Sequence, residues 1–198
     1  MTAPAPSPYP KLAGKPPEQL AEQLKLSLDA KALLEPGQSV EAYVDSLNAA
    51  GLYPAAMAVL ANALPKRESV WWACMSVRKA GAPKEGTPSL DALLAAENWV
   101  RRPTEENRRA AMASTEQLSP DAPSSWAAMA AFWSGDNMAP VGAPTVMPGD
   151  ELTGRAVAGA IFLAAVQSEL QYAPERYHSF TAIALDIARG GDGRAAMT

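Results

Sequence analysis

Residues 155–169 read Arg-Ala-Val-Ala-Gly-Ala-Ile-Phe-Leu-Ala-Ala-Val-Gln-Ser-Glu, with no charged residue between the first and the last. A helix that is apolar on every side belongs inside a protein, with other helices around it. Gly159 and the nearby alanines allow those helices to approach closely. The uncharged run is far shorter than the roughly 20 residues that cross a bilayer. We therefore predict that this stretch forms the central helix of a soluble domain.

Apolar residues recur at helical spacing in four other segments, and no segment alternates between apolar and polar residues. The four are Val40-Tyr43-Val44-Leu47, Met57-Leu60-Ala61-Leu64, Trp126-Met129-Ala130-Trp133 and Phe180-Ile183-Ala184-Ile187. The pattern predicts an all-α fold with about nine helices. Both a single helical bundle and a short solenoid-like array remain open at this point, because the helix starts are unevenly spaced.

Proline and capping residues set the expected ends of these helices. Pro17 opens the first helix, Pro65 separates the third from the fourth, and Thr104 caps the sixth, while Ser124 is expected to cap the seventh. We expect one helical domain over 17–189. Residues 1–16 are predicted to be a disordered Pro/Ala-rich tail, and 190–198 a flexible C-terminal tail.

Length, charge and cysteine content exclude several classes of protein. The 198 residues fit one domain, and a net charge of −4 argues against a broad nucleic-acid surface. A single cysteine excludes an intrachain disulfide and suits a reducing compartment. The N-terminus lacks the basic start and apolar core of a secretory signal. These observations predict a cytoplasmic protein with no membrane span.

The residues that usually carry chemistry are scarce. The chain has one histidine, His178, and one cysteine, Cys74, which lies within an apolar helical stripe. There is no metal-ligand spacing, phosphate loop or nucleophile elbow. We predict no catalytic residue, no metal and no cofactor, and we therefore favour a function exercised through protein contact over an enzyme.

Five tryptophans are the positive signal, since indoles fill cores and also anchor interfaces. Trp71 and Trp72 point about 100° apart on the fourth helix, so that helix is either buried between layers or shared with a partner. Trp126 and Trp133 lie seven residues apart on one helical side and are expected to pack against the core. Trp71, Trp72 and Trp133 are kept as partner-binding candidates, together with the low-charge loop 134–150.

Two groups of charged residues call for an explanation. Glu97 lies at the centre of an apolar stripe, which predicts a buried carboxylate in a structural ion pair, with Arg155 as the first candidate partner. Arg108 and Arg109 belong to a basic cluster that includes acidic residues. That cluster is either a solvated helix junction or a site for an acidic partner.

Three motifs and the segment after them resemble a known family. They are Leu-Pro-Lys-Arg-Glu-Ser-Val-Trp-Trp-Ala-Cys (64–74), Glu-Asn-Arg-Arg-Ala-Ala-Met-Ala (106–113) and Ser-Trp-Ala-Ala-Met-Ala-Ala-Phe-Trp-Ser-Gly (125–135), followed by Leu-Thr-Gly-Arg-Ala-Val-Ala-Gly-Ala (152–160). Over about 26–170 the chain resembles uncharacterised all-helical bacterial proteins, often encoded near type VI secretion genes. The resemblance implies no catalytic residues.

Three functions follow in order of preference. The first is a non-catalytic accessory or adaptor protein, which the resemblance links to a type VI secretion system. The second is an immunity protein that neutralises a cognate toxin, which would present an acidic concave face to one tight partner. The third is an enzyme that uses a carboxylate or Arg155 in a buried pocket.

Overall fold

The computed structural model describes residues 7–12, 14–140 and 142–197, and all regular structure in these ranges is helical. Three short 3₁₀ helices (Pro10–Leu12, Leu170–Tyr172, Ala195–Met197) accompany ten α-helices. The α-helices are α1 (Pro17–Gln23), α2 (Leu28–Lys31), α3 (Val40–Ala49), α4 (Tyr53–Ala63), α5 (Lys66–Gly81), α6 (Pro88–Arg101), α7 (Glu105–Ala113), α8 (Pro123–Trp133), α9 (Leu152–Val166) and α10 (Ala173–Arg189). The predicted all-α class is confirmed. The additional helix is α2, which at one turn is too short to show a period.

Local chemistry explains most of the helix starts. The side chains of Ser39, Thr87 and Thr104 accept hydrogen bonds from backbone N–H groups in the first turns of α3, α6 and α7. Proline occupies the first turn of α1, α4, α6, α8 and α10. The expected cap at Ser124 is wrong, because α8 already begins at Pro123 and Ser124 is buried inside it.

Helix α9 is the centre of the fold, as its sequence predicts. It packs against α4, α5, α8 and α10, and these helices share one hydrophobic core. This arrangement around a central helix is a bundle rather than a linear stack. One strip of α9 nevertheless reaches the surface, where Arg155 and Phe162 are exposed.

Helix α8 buries several of its alanines completely and its two tryptophans only in part. Ala127, Ala128 and Ala131 are completely buried, whereas Trp126 and Trp133 share the opposite side and are only half-buried. Both rings pack against the core from one side of α8, as expected, although neither is completely buried. A Cβ added at Gly159 of α9 would lie 2.7 Å from the Trp126 ring, so the indole lies over the glycine at the edge of the helix pair.

Both described chain ends pack on the bundle. Tyr9 and Leu12 are buried in the core, in contrast to the disorder predicted for 1–16; residues 1–6 and 13 lie outside the described residues. The predicted flexible tail also requires correction. The backbone carbonyl of Asp192 accepts a hydrogen bond from Trp71 Nε1 at 2.8 Å, and Gly193 is buried. The C-terminal segment 190–197 thus lies against α5 and α10; residue 198 is outside the described part.

Candidate functional site

The loop between α8 and α9, residues 134–150, is closed at its base by one backbone–backbone hydrogen bond and by the side chain of Asn137. The Met138 N–H donates to the Val146 carbonyl at 2.8 Å. The side-chain oxygen of Asn137 accepts from the backbone N–H groups of Ala139 and Val146 at 2.9 and 3.0 Å. One asparagine therefore links the two sides of the loop, and these hydrogen bonds restrain the described backbone on either side of residue 141.

Arg108 of α7 anchors the base of the loop to the helical bundle. Only 4% of its side chain is exposed. Its Nη1 donates to the Phe132 carbonyl at 2.5 Å and its Nη2 to the Asn137 carbonyl at 2.6 Å. The guanidinium also lies 4.7 Å from the centre of the Phe132 ring, a cation–π geometry.

Glycine at 135 makes room for this guanidinium. A Cβ at that position would lie 2.5 Å from Arg108 Cδ and 2.6 Å from Nε, inside van der Waals contact. This use of Gly135, the close approach of a buried arginine, depends on tertiary contacts and has no signature in the local sequence.

Glu105 on α7 supplies the negative charge for both arginines of this site. Its carboxylate accepts two hydrogen bonds from Arg108, at 2.6 and 2.8 Å, and one from Arg109 Nε at 2.6 Å. Hydrogen bonding by Arg108, followed by that of Arg109, lowers the pKa of Glu105. Arg109 then reaches the Ala139 carbonyl of the loop at 3.0 Å. Arg108 and Arg109, predicted as partner-binding residues, therefore bind the chain's own loop.

The loop presents apolar side chains to solvent above this base. Met147 is 72% exposed and Val146 is 47% exposed. Half-buried Trp133 ends α8 one residue before the loop begins. Large exposed apolar side chains on a fixed backbone are suited to contact with another protein.

The paired tryptophans of α5 have different environments. Trp72 is completely buried and its Nε1 donates to the Phe180 carbonyl at 2.7 Å, so its expected place on a binding surface is wrong. Its ring fills the core where α5 meets α10. Trp71 is half-buried under the C-terminal segment and lines a surface cleft.

The predicted burial of Glu97 is confirmed, but its predicted partner is wrong. Glu97 is 1% exposed, and Arg78 of α5 binds it with two hydrogen bonds at 2.5 and 3.0 Å. Arg101 approaches the same carboxylate at 3.5 Å. Arg155 instead lies on the exposed strip of α9, 4.0 Å from Glu151.

The remaining candidates for chemistry are isolated. Cys74 is buried, and desolvation, followed by the charge of Glu97, raises its pKa far above the ordinary thiol value. His178 is exposed, and its ring is perpendicular to that of Tyr53, with 5.5 Å between the ring centres. Within the described residues, no three His, Cys, Asp or Glu side chains are grouped as a metal site.

None of the described helices combines the length and the apolar character that a membrane span requires.

The fold and the site define an all-helical protein with one central helix and one anchored surface loop. Residues 43–188 match a family of unknown function, DUF6931, and the chain belongs to that family. The family spans the core and the loop. No curated protein and no solved structure matches the chain.

Proposed function

We propose that this protein is a non-catalytic adaptor that binds another protein through the 134–150 loop. The observation that carries the proposal is the fixed presentation of Met147 and Val146 by a base that includes Asn137 and the buried Arg108. A loop held in one conformation loses less conformational entropy on binding than a mobile one. Exposed Met and Val side chains at that loop supply the apolar contact area.

The placement of Arg108 supports this proposal on energetic grounds. Removing a guanidinium from water is costly unless all its hydrogen bonds are satisfied, and a buried ion pair is weak evidence for stability alone. Here the buried arginine donates to two backbone carbonyls, one at the end of α8 and one in the loop. The hydrogen bonds that offset the cost of burying Arg108 therefore also order the loop.

The nature of the partner rests on the resemblance to proteins encoded near type VI secretion genes. We propose that the partner is a component of such an apparatus and that binding takes place in the cytoplasm. The immunity-protein alternative calls for an acidic concave face. The cleft beside Trp71 carries Arg67, Arg101 and Arg194, so its charge favours the opposite kind of ligand.

The proposal is tested by capture with matched variants. Met147→Glu places a charge on the loop, and Leu28→Glu makes the same change at an 85% exposed leucine of α2. Immobilised wild-type protein and both variants are exposed to lysate of the native host, and the bound proteins are quantified by mass spectrometry. A partner should be retained by wild type and Leu28→Glu and lost with Met147→Glu. Equal retention by all three would rule out this loop as the binding surface.

A second variant tests the role of the fixed conformation. Asn137→Ala removes the oxygen that accepts two loop amides but leaves the exposed side chains unchanged. We expect it to weaken binding of the captured partner roughly five- to tenfold, because the loop must then be ordered on binding. Titration calorimetry provides the measurement, and unchanged affinity would contradict preorganisation.

A further inference from the structure

A surface cleft of about 390 Å³ lies between the first half of α5, the end of α6 and the C-terminal segment 190–197. It belongs to a different part of the molecule from the 134–150 loop. The side chains that matter for its chemistry are Lys11, Arg67, Trp71, Arg101, Asp192 and Arg194. Its volume is within the range of small-molecule sites, which is roughly 300–1,000 Å³.

The cleft contains more positive charge than its carboxylates neutralise. Lys11 pairs with Glu68 at 3.2 Å, and Arg194 lies 3.7 Å from Asp192. Arg67 donates its Nε to the Val100 carbonyl at 2.6 Å and forms no ion pair with a carboxylate of the described chain.

Arg101 is the second cation in surplus. Its nearest carboxylate is Glu97, 3.5 Å away, and Arg78 already binds both oxygens of that group. The Arg101 side chain remains 55% exposed. Two guanidinium groups without a carboxylate of their own thus line one cleft of a chain with a net charge of −4.

Arg67 does not stabilise helix α5 at the position where it lies. Arg67 lies in the first turn of α5, where the helix dipole disfavours a cation. Neighbouring Lys66 adds a second charge of the same sign, and Glu68, the acidic residue of this turn, is already paired with Lys11 at 3.2 Å. A negatively charged ligand at the cleft would compensate this local repulsion.

Trp71 gives the cleft an aromatic wall. It lies one turn after Arg67 on α5, and its Nε1 is fixed by the Asp192 carbonyl at 2.8 Å. An adjoining cleft of about 360 Å³ is also lined by Trp71, Arg101 and Arg194. Guanidinium groups recognise oxyanions through paired hydrogen bonds, and an indole packs against planar or apolar groups.

We propose that this cleft is a binding site for a small oxyanion, a carboxylate or a phosphate, carried on a planar or apolar group. The guanidinium groups of Arg67, Arg101 and Arg194 bind the anion, and the Trp71 ring packs against the rest of the ligand. The site is independent of the loop proposed to bind protein.

The test uses defined probes and the full chain. Inorganic phosphate, phenyl phosphate and benzoate are titrated at low ionic strength, with benzyl alcohol as the uncharged control. Binding is followed through the indole N–H resonance of Trp71, which is assigned from its loss in Trp71→Phe. We expect saturation with a Kd of about 1 mM or tighter for at least one ring-bearing anion. Inorganic phosphate should bind more weakly, and benzyl alcohol should not bind.

Charge variants decide whether the cleft itself is the site. Arg101→Gln and Arg194→Gln remove exposed cations that line the cleft, and Arg102→Gln removes an exposed neighbour that does not. The first two should each weaken binding about tenfold, as expected for a charge-assisted hydrogen bond, while Arg102→Gln should have little effect. Tighter binding of phenyl phosphate or of benzoate would identify the phosphate or the carboxylate as the preferred anion.

Two results would overturn the proposal. One is the absence of any shift of the Trp71 resonance with all three anions up to about 20 mM, a weaker affinity than most specific sites show. The other is binding that Arg101→Gln and Arg194→Gln weaken no more than Arg102→Gln does.

Discussion

Removal of Arg78 should destabilise the protein more than removal of its partner Glu97. The side chain of Glu97 is 2% exposed, whereas that of Arg78 is 29% exposed. In Arg78→Met the carboxylate stays buried, with only Arg101 at 3.5 Å to compensate it. Loss of one partner of a buried pair costs about 3–5 kcal/mol of the free energy of unfolding when the remaining charge cannot reach water.

The reverse substitution leaves a charge that can hydrate. In Glu97→Leu the guanidinium of Arg78 already has access to solvent, so we expect a cost of about 1–3 kcal/mol. The double variant removes both charges and leaves apolar side chains of similar size. It should lie within about 1 kcal/mol of wild type, as replaced buried ion pairs often do.

Denaturant unfolding followed by circular dichroism at 222 nm measures all four proteins, and the slope with denaturant must stay constant for the comparison to hold. The double-mutant cycle should give a coupling energy of at least about 2 kcal/mol. If Glu97→Leu costs as much as Arg78→Met, or if the two single effects simply add, the assignment of Glu97 as the uncompensated buried charge is wrong.

Three further predictions concern the loop and the core. Gly135→Ala should cost about 2–4 kcal/mol of unfolding free energy, because its Cβ would displace Arg108 from buried hydrogen bonds, whereas Gly14→Ala, with open space around its Cβ, should stay within about 0.5 kcal/mol of wild type. The Cys74 thiol, whose pKa is raised by burial, should resist Ellman's reagent at pH 8 until guanidinium unfolds the protein, and rapid reaction of the native protein would contradict its burial. Because the pKa of Glu105 is lowered in the folded state, its stabilising contribution is complete above the ordinary carboxyl value of about 4.3 and is lost as pH falls through the lowered one. The stability difference between wild type and Glu105→Gln should accordingly be constant from pH 7 to 5 and shrink below about pH 4, and a difference as large at pH 3 as at pH 6 would refute this.

The sequence predicts burial better than it predicts neighbours. The apolar stripe around Glu97 is a local pattern of one helix, so it correctly indicates that the carboxylate faces inward. Which cation meets it depends on how α5 and α6 cross, and Arg78 is 19 positions away along the chain. No periodicity within α6 contains that information.

The orientation of α8 is a second feature that the local sequence pattern does not determine. Trp126 and Trp133 share one apolar face and Ala127 with Ala131 share another, so a pattern of apolar residues cannot decide which face is buried. In the structure Ala127 and Ala131 are completely buried, and the two tryptophans are only partly buried. The anchor of the loop could not be predicted for a different reason, because Arg108, Asn137 and Gly135 are brought together by tertiary structure alone. The sequence offers one hint, since asparagine side chains in Gly- and Pro-rich loops often hydrogen-bond to nearby backbone groups.

The alanine-rich helices α8 and α9 pack closely, and this gives their buried alanine positions little tolerance to change over evolutionary time. At a core of large side chains, neighbours can exchange volume by compensating substitutions. At the completely buried Ala128 and Ala160 there is almost no side chain left to shorten, and every larger residue must displace its neighbours. Substitution at such positions is confined to alanine, glycine and serine, whereas the larger residues of the surrounding core can be replaced in compensating combinations. Among distant relatives that keep this fold, the spacing of these two helices should therefore persist after most other sequence identity has been lost.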